Sequence, residues 1–499
     1  MTERRGFISF EWIKVGTKGN DYLEADKQGR LILGHSGEDE LLSHFSDVWL
    51  HGGKDNDTLI TEVGSVEPTT GPNGPAEAMA KQTGGHGNDE FFSSLHAVYS
   101  EYGQNVTASN CIFGGSGEDD IGTETKPIYA YANSVLGTAK AINFIHGGRD
   151  ADTIHAVAEI EQNSAPDVSI AMNEIFGGEG DDHITALADG DFQGDVSNAS
   201  NVVKGGRGDD FVEAKAIVQS NSSEEARNTI DGGKGDDELY AETLTDSNTG
   251  SPTGLNVMFG RGGNDMLTAT HRVDGENWTT DVTNELSGGA GNDILKGYIT
   301  AEDGNGEVTT LAEDSAIVRN ILKGGNGHDD LYGAITAKIS EHQDTIARNI
   351  LYGGQGDDAL QVSGGTNNSL YGGAGNDRIA GGDGDDRLEG NAGADTFAYD
   401  ISLDSGMDRI TDFNSTEDRL NFTNLFGVVS DEGAPGLVND IDLISTLTDG
   451  GLGGDVILEL DSGTRIVFEG IGTGAIVSIG DLVDDPASQI VSEPNWFDA

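Results

Sequence analysis

A short phrase of glycines and acidic residues recurs sixteen times along the chain and constrains the fold more than any other feature. It reads FGGEGDDHITALA at 176–188, KGGRGDDFVEAKA at 204–216 and DGGKGDDELYAET at 231–243. The first glycines stand at 16, 34, 52, 84, 114, 147, 177, 205, 232, 260, 288, 324, 353, 372, 381 and 390. Most intervals are 27–36 residues long, with 18 at the start and 9 at the end. Periods of this length indicate repeat units that stack on one another.

The composition limits what the repeats can build and bind. Glycine makes up 75 of 499 residues and hydrophobic residues only 35%, so a thick core is not expected. The 87 acidic and 28 basic residues leave a formal charge of −59, which repels itself and makes nucleic acid or an anionic membrane a poor partner. Such acidity is typical of disorder, but acids at fixed spacing favour bound cations. Cys111 is the one cysteine, which excludes an intramolecular disulfide and a thiolate metal cluster.

The last copies, GGAGNDRIA, GGDGDDRLE and GNAGADTFA (372–398), are three nonapeptides in succession. The phrase resembles the calcium-binding nonapeptide G-G-x-G-x-D-x-U-x of RTX proteins, and the resemblance covers about residues 16 to 400. It implies that several Ca²⁺ ions sit between stacked turns, because one short turn cannot supply six to eight oxygen ligands.

The aspartate at the sixth position of the phrase is present in all sixteen copies and is the predicted metal ligand. These residues are Asp21, Asp39, Asp57, Asp89, Asp119, Asp152, Asp182, Asp210, Asp237, Asp265, Asp293, Asp329, Asp358, Asp377, Asp386 and Asp395. Asp55 and Asp150 replace the fourth glycine of their phrases, and Thr17 and Arg261 replace the second. We expect those four turns to be distorted or weakly occupied.

Period-two alternation after each phrase predicts a strand, as in Ile184, Ala186 and Ala188. The small inward residues predict two closely packed sheets. An asparagine stands four residues before the first glycine of ten copies or near-copies: Asn110, Asn143, Asn173, Asn201, Asn228, Asn256, Asn284, Asn320, Asn349 and Asn368. Either these amides form a buried ladder, since buried amides need partners, or asparagine tolerates the bend before the turn.

The sequence therefore predicts an all-β fold: a calcium-stacked parallel β-roll or β-helix solenoid. We expect an N-terminal cap at 1–15, long coils of about 30 residues at 16–352, each with one metal-bearing edge, and an ordinary nonapeptide β-roll at 353–400. A β-rich C-terminal cap with a secretion region at 401–485 and a secretion tail at 486–499 follow. DTFAYDISLDSGMDRITDFNSTEDRLNF (395–422) resembles the segment that closes the roll in type I secreted RTX proteins, and 455–471 is expected to cover an open sheet edge.

The start, MTERRGFISFEWIKVG, lacks the apolar run of a cleavable signal peptide, and no stretch is apolar enough for a membrane helix. With the RTX resemblance, this favours export by the type I machinery and an extracellular or surface location. Calcium would then couple folding to export, because the acids repel one another until the ion binds.

No catalytic group stands apart from the repeats. GHSGE (34–38) falls in register with the phrase, no H-E-x-x-H occurs, and the histidines are scattered. We expect a non-enzymatic secreted calcium-binding protein with a structural or adhesive role, whose partner is an extracellular polysaccharide or a cell surface. The alternatives are a polysaccharide-acting enzyme of lyase or epimerase type on the metal-free edge, and an ice or surface binder, for which Thr268 and Thr270 supply a single step of a threonine ladder.

Overall fold

The computed structural model describes residues 13–64, 76–99, 105–134, 137–162, 169–192, 196–220, 223–247, 253–274, 281–302, 308, 310–311, 316–339, 346–401, 404–423, 441 and 445–492. The chain divides into two compact units, residues 1–261 with 271–281 and residues 262–270 with 282–499. In the described part no helix is long and apolar enough to cross a bilayer. The predicted boundaries at 15, 352, 400 and 485 stay predictions, and the tail residues 493–499 lie outside the described part.

Up to the last long coils the strands are β1 (Ile13–Val15), β2 (Tyr22–Glu24), β3 (Leu31–Leu33), β4 (Glu40–Ser43), β5 (Val48–Lys54), β6 (Thr58–Val63), β7 (Ala76–His86), β8 (Glu90–Tyr99), β9 (Val106–Ser116), β10 (Asp120–Ile121), β11 (Ile128–Ser134), β12 (Ala139–Arg149), β13 (Thr153–Gln162), β14 (Ser169–Glu179), β15 (His183–Phe192), β16 (Val196–Arg207), β17 (Phe211–Ser220), β18 (Ser223–Lys234), β19 (Glu238–Ser247), β20 (Thr253–Gly262), β21 (Met266–Asp274) and β22 (Asp281–Ala290).

The remaining strands are β23 (Ile294–Glu302), β24 (Thr310–Leu311), β25 (Ile317–Asn326), β26 (Asp330–Thr336), β27 (Lys338–Ile339), β28 (Ile346–Gln355), β29 (Ala359–Gly364), β30 (Ser369–Ala374), β31 (Arg378–Ala380), β32 (Arg387–Ala392), β33 (Thr396–Asp400), β34 (Met407–Ile410), β35 (Arg419–Thr423), β36 (Ser445–Asp449), β37 (Val456–Leu460), β38 (Arg465–Phe468) and β39 (Ile490–Val491). A 3₁₀ turn at Ile479–Asp481 and the one-turn helix α1 (Pro486–Gln489) precede β39.

The glycine phrase separates the two strands of each coil. We call the strand that runs into the phrase inbound and the strand that leaves it outbound. Inbound strands of successive coils pair in parallel, as Asn173 of β14 pairs with Asn201 of β16, and outbound strands do the same, as Ile184 of β15 pairs with Val212 of β17. The predicted parallel β-roll solenoid is therefore confirmed in each unit.

The core between the inbound and outbound sheets is thin. Ile184 follows the phrase and is fully buried, while Ala186 and Ala188 continue the inward face with at most 4% exposure. A column of alanines across the first unit, including Ala171 and Ala199 of the inbound sheet, faces them. Short side chains on both inner faces let the sheets approach closely, as the alternation pattern predicts.

The C-terminal region closes the edges of both sheets in the second unit. In the inbound sheet, β38 pairs in parallel with β34, and β36, β37 and β38 form an antiparallel extension. In the outbound sheet, β39 pairs with β35. The expected cover over an open edge by residues 455–471 is confirmed, since β37 and β38 lie in that segment.

Candidate calcium sites

The glycine phrase forms a tight turn that stacks on the turn of the neighbouring coil. In the copy that begins at Gly177, Gly178 and Gly180 have φ angles of 132° and 120°. L residues rarely adopt this half of φ space. A methyl group on Gly178 would also lie 2.1 Å from the carbonyl oxygen of Gly148 in the preceding coil. Glycine is therefore required here for both its backbone freedom and its lack of a side chain.

The sixth-position aspartates link each turn to the next. The backbone N–H of Asp152 donates to Asp182 Oδ1 at 2.8 Å, and the N–H of Asp182 donates to Asp210 Oδ1 at 2.9 Å. In the first unit the same bond connects Asp21, Asp39, Asp57, Asp89, Asp119, Asp152, Asp182, Asp210 and Asp237. In the second unit it connects Asp265, Asp293, Asp329, Asp358, Asp377, Asp395 and Asp418. We call these two rows together the aspartate column.

The second carboxylate oxygen of many of these aspartates is buried, and no hydrogen-bond donor among the described residues reaches it. In the column this holds for Asp39, Asp57, Asp89, Asp119, Asp152, Asp182, Asp210, Asp329, Asp358 and Asp377, and outside the column it holds for Asp386. A methyl group placed on Gly177 would lie 2.1 Å from Asp182 Oδ2 and 2.7 Å from the carbonyl oxygen of Gly205. A carboxylate oxygen and a carbonyl oxygen of the next turn thus border the same small space.

The oxygen atoms around that space suit a calcium ion. Calcium is bound by carboxylate and carbonyl oxygens, and a buried acceptor without a partner is costly. No three side chains of His, Cys, Asp or Glu in the described ranges converge on one point. A calcium ion here would therefore be held by the unpaired Oδ2 of an aspartate such as Asp182, with main-chain carbonyls of the glycine turns as the other ligands.

Burial makes the ionised form of the aspartate column unstable without a counter-charge. Loss of hydration, together with neighbouring acidic side chains, raises the pKa of Asp182 to about 7 and those of Asp152 and Asp210 to about 8. Each ionised carboxylate of the column therefore costs free energy unless a counter-charge is present. At neutral pH the column therefore needs either protons or bound cations.

Two of the departures noted in the sequence distort their turns while keeping a left-handed backbone. Asp55 and Asp150 have φ angles of 69° and 73°, against 120° for Gly180 at the same position of its phrase. In the first copy, the N–H and the hydroxyl of Thr17 both donate to Asp21 Oδ2. Asp21 therefore lacks the unpaired oxygen that its counterparts offer.

Arg261, at the second position, has a φ of 84°. Sequence reasoning missed two further replacements at that position, His35 with a φ of 95° and Asn391 with 70°. The signal was present in GHSGED and GNAGAD, where the second letter is not glycine. All three residues carry strain that glycine would not.

The asparagines form a second column parallel to the aspartate column. Asn173 Nδ2 donates to Asn201 Oδ1 and to the carbonyl of Leu187, both at 2.8 Å. In the first unit the amide bond connects Asn110, Asn143, Asn173, Asn201, Asn228 and Asn256; in the second it connects Asn284, Asn320, Asn349 and Asn368. The ladder is confirmed.

The asparagine column ends in aspartates where the coils become short. The backbone and side-chain N–H groups of Asn368 donate to Asp386 Oδ1, and the N–H of Asp386 donates to Asp408 Oδ1. Asp386 thus belongs to this second column and not to the one that contains Asp377 and Asp395. Asp408 and Asp418 were missed as column members, because no glycine phrase precedes them.

The other sequence leads behave as parts of the scaffold. Ser36 of GHSGE lies in the turn that ends at Asp39, and His86 and His328 are exposed beside turns. His271 was not singled out, yet it is fully buried, with Thr243 at Nδ1 and Thr245 at Nε2. Burial lowers its pKa to about 3, so the ring is neutral.

One family model matches the repeat. The family model of the RTX calcium-binding nonapeptide repeat (four copies) matches residues 33–65, 141–156, 172–192, 224–246, 278–305, 319–335 and 362–397. The extracellular lipase LipA of Serratia marcescens, known from a crystal structure, is 17% identical over 46% of this chain and 45% of the lipase, with a TM-score of 0.16. The chain thus spans less than half the length of that lipase. No curated protein sequence matches. The RTX calcium-binding nonapeptide repeat therefore recurs in seven matched segments between residues 33 and 397.

Proposed function

We propose that the protein is secreted, folds when it meets extracellular calcium, and serves a structural or adhesive role without enzymatic activity. The observation that carries the proposal is the aspartate column, in which buried carboxylate oxygens such as Asp182 Oδ2 have no donor among the described residues. Binding of several divalent ions would compensate part of the formal charge of −59. In calcium-poor cytosol the same charges would keep the chain extended.

Export through a type I channel fits this scheme, because an unfolded chain can be threaded and a calcium-loaded roll cannot. Residues 395–422, which resemble the closing segment of type I secreted RTX proteins, hold β33, β34 and most of β35. The non-enzymatic role is favoured because the acidic side chains recur with the coils, whereas a catalytic pair is a single feature.

The test is a calcium titration of the chelator-treated chain, followed by circular dichroism and native mass spectrometry. We expect little β structure without calcium, a cooperative gain near 10⁻⁴–10⁻³ M, the range of extracellular calcium modules, and the uptake of at least five or so ions. A magnesium titration is the control, since Mg²⁺ demands a smaller octahedral site. A chain that is fully folded after chelation, or that binds fewer ions, would contradict the proposal.

A further inference from the structure

The outer face of the inbound sheet in the first unit is poor in acids although the chain is strongly acidic. Among the exposed and half-buried side chains of β5, β7, β9, β12, β14 and β16, the acids are Glu77, Glu174 and, at the turn, Glu179, which pairs with Arg207. The outbound strands β6, β8, β13, β15 and β17 carry acids at the outward positions 62, 90, 159, 161, 189 and 213. The two faces of one solenoid unit therefore differ in charge, and the repeat itself does not require that difference.

Aromatic rings occupy the acid-poor face on consecutive coils. Phe113 of β9, Phe144 of β12 and Phe176 of β14 follow one another with ring centroids 5.8 Å apart at each step. His146 lies 6.4 Å from Phe113 and 6.0 Å from Phe176. All four rings are half-buried and lie outside the core. The face thus offers rings on successive strands, at a spacing set by the strand separation of about 4.8 Å.

An open groove extends the row of rings towards the first coils. It has a volume of about 590 Å³, and Leu31, Trp49, Met79 and Cys111 contribute to its lining. Trp49 is 41% exposed and lies outside the core. Cys111 pairs in register with Phe144, which makes the groove and the rings continuous.

A lysine lies over a ring at each end of the row. Lys81 Nζ is 4.0 Å from the ring centroid of Trp49, and Lys204 Nζ is 5.1 Å from that of Phe176. We call Trp49, Lys81, Phe113, Phe144, Phe176 and Lys204 the aromatic track. Its two lysines and few acids make the track locally attractive to anions, because fixed charges beyond about 8 Å are screened at physiological salt.

We propose that the aromatic track binds a linear, carboxylate-bearing polysaccharide of the uronate type. A pyranose ring has an apolar C–H face that can stack on an aromatic ring, while its hydroxyl edges stay in water. A polysaccharide suits an open groove, because the groove covers only one face of the ligand and the hydroxyl groups stay in water. An acyl chain in the same groove would leave much of its apolar surface exposed. The aromatic rings of the track can stack on successive sugar rings of the polymer, and Lys81 and Lys204 can pair with its carboxylates.

The proposal rests on the calcium-dependent folding proposed above and names the partner in the adhesive role. It is tested on the full chain at saturating calcium by isothermal titration with a hexamer of β-linked uronic acid and with cellohexaose. We expect the uronate hexamer to bind more tightly. Trp49→Ala and Phe144→Ala should each weaken its binding by roughly three- to tenfold, and Lys81→Gln should remove the preference over cellohexaose.

Phe211→Ala is the matched control, since Phe211 is a half-buried outward ring of the outbound sheet that stacks on His183 at 4.6 Å. It should leave binding unchanged. Circular dichroism of each variant with calcium separates loss of the glycan contact from loss of folding. The proposal is overturned if neither hexamer binds, if cellohexaose binds as tightly as the uronate, or if the track variants behave like the control. It is also overturned if dodecanoate binds instead, or if the variants change only self-association.

Discussion

Replacing Asn201 by alanine should loosen three neighbouring coils. The Asn201 side chain is fully buried in the asparagine column. Its Oδ1 accepts from Asn173 Nδ2, and its Nδ2 donates to Asn228 Oδ1 and to the carbonyl of Lys215, each at 2.8 Å. At ~0.5–1.5 kcal/mol for each bond, the change removes about 3 kcal/mol of local stability. The cavity left by the amide acts in the same direction.

The measurement is hydrogen exchange by mass spectrometry at saturating calcium, because a long solenoid does not unfold in one step. About 3 kcal/mol corresponds to amide exchange faster by roughly a hundredfold for residues that exchange through local opening. The acceleration should appear in peptides from β14, β16 and β18 and fade in β9.

Asn198→Ala is the control. Asn198 lies on the same strand but faces outward and is half-buried, so the same chemical change should alter exchange little. If Asn201→Ala and Asn198→Ala exchange at the same rate in β14 and β18, the amide column does not stabilise the coils and the reasoning fails.

Three further outcomes can be measured on purified protein. Asp182→Asn should lower the number of bound calcium ions by one or two in native mass spectra, whereas Asp181→Asn at its exposed neighbour should not; equal losses would show that the column is not the ligand set. Gly206→Ala puts a methyl group 2.1 Å from the carbonyl of Gly178 at a φ of 128° and should reduce local stability by about 2–4 kcal/mol, measured by hydrogen exchange of the calcium-loaded protein. Gly262→Ala, which meets nothing within 4 Å, should be nearly neutral, and equal local exchange in the two variants would rule out the steric argument. Because burial raises the pKa of the column aspartates from 3.8 to about 6–8, their contribution to the stability of the metal-free fold is fully present below about pH 4 and is lost as the pH rises to about 8. Chelated protein should therefore show more β structure by circular dichroism at pH 5 than at pH 8, and the reverse order would refute the pKa shifts.

The sequence predicts the parts of this fold that depend on local pattern. The glycines and the sixth aspartate define the turn, and alternation such as Ile184, Ala186 and Ala188 defines a thin two-sheet interior. The same alternation places Asn173 on the face that carries Ala171 and Ile175, and all three are buried. These features repeat, so each copy supports the same conclusion.

Other features depend on which coils become neighbours, which the phrase does not encode. Asp408 joins a column only because β34 packs beside β32, and no glycine signals this in advance. The surroundings of Trp49 depend on neighbouring coils in the same way. Its partners Lys81 and Thr83 come from the next coil, more than thirty residues along the chain.

The two columns also allow neighbouring coils to differ in length. Both lie close to the glycine phrase, so each new coil is aligned there before its strands extend outward. The interval between phrases nevertheless varies from 27 to 36 residues through the middle of the chain, and the hydrogen bonds of both columns span the shortest and the longest of these intervals. A coil can therefore gain or lose residues while its aspartate and its asparagine stay in their columns. Insertions between two phrases can accumulate during evolution in this way while the calcium-linked edge stays unchanged.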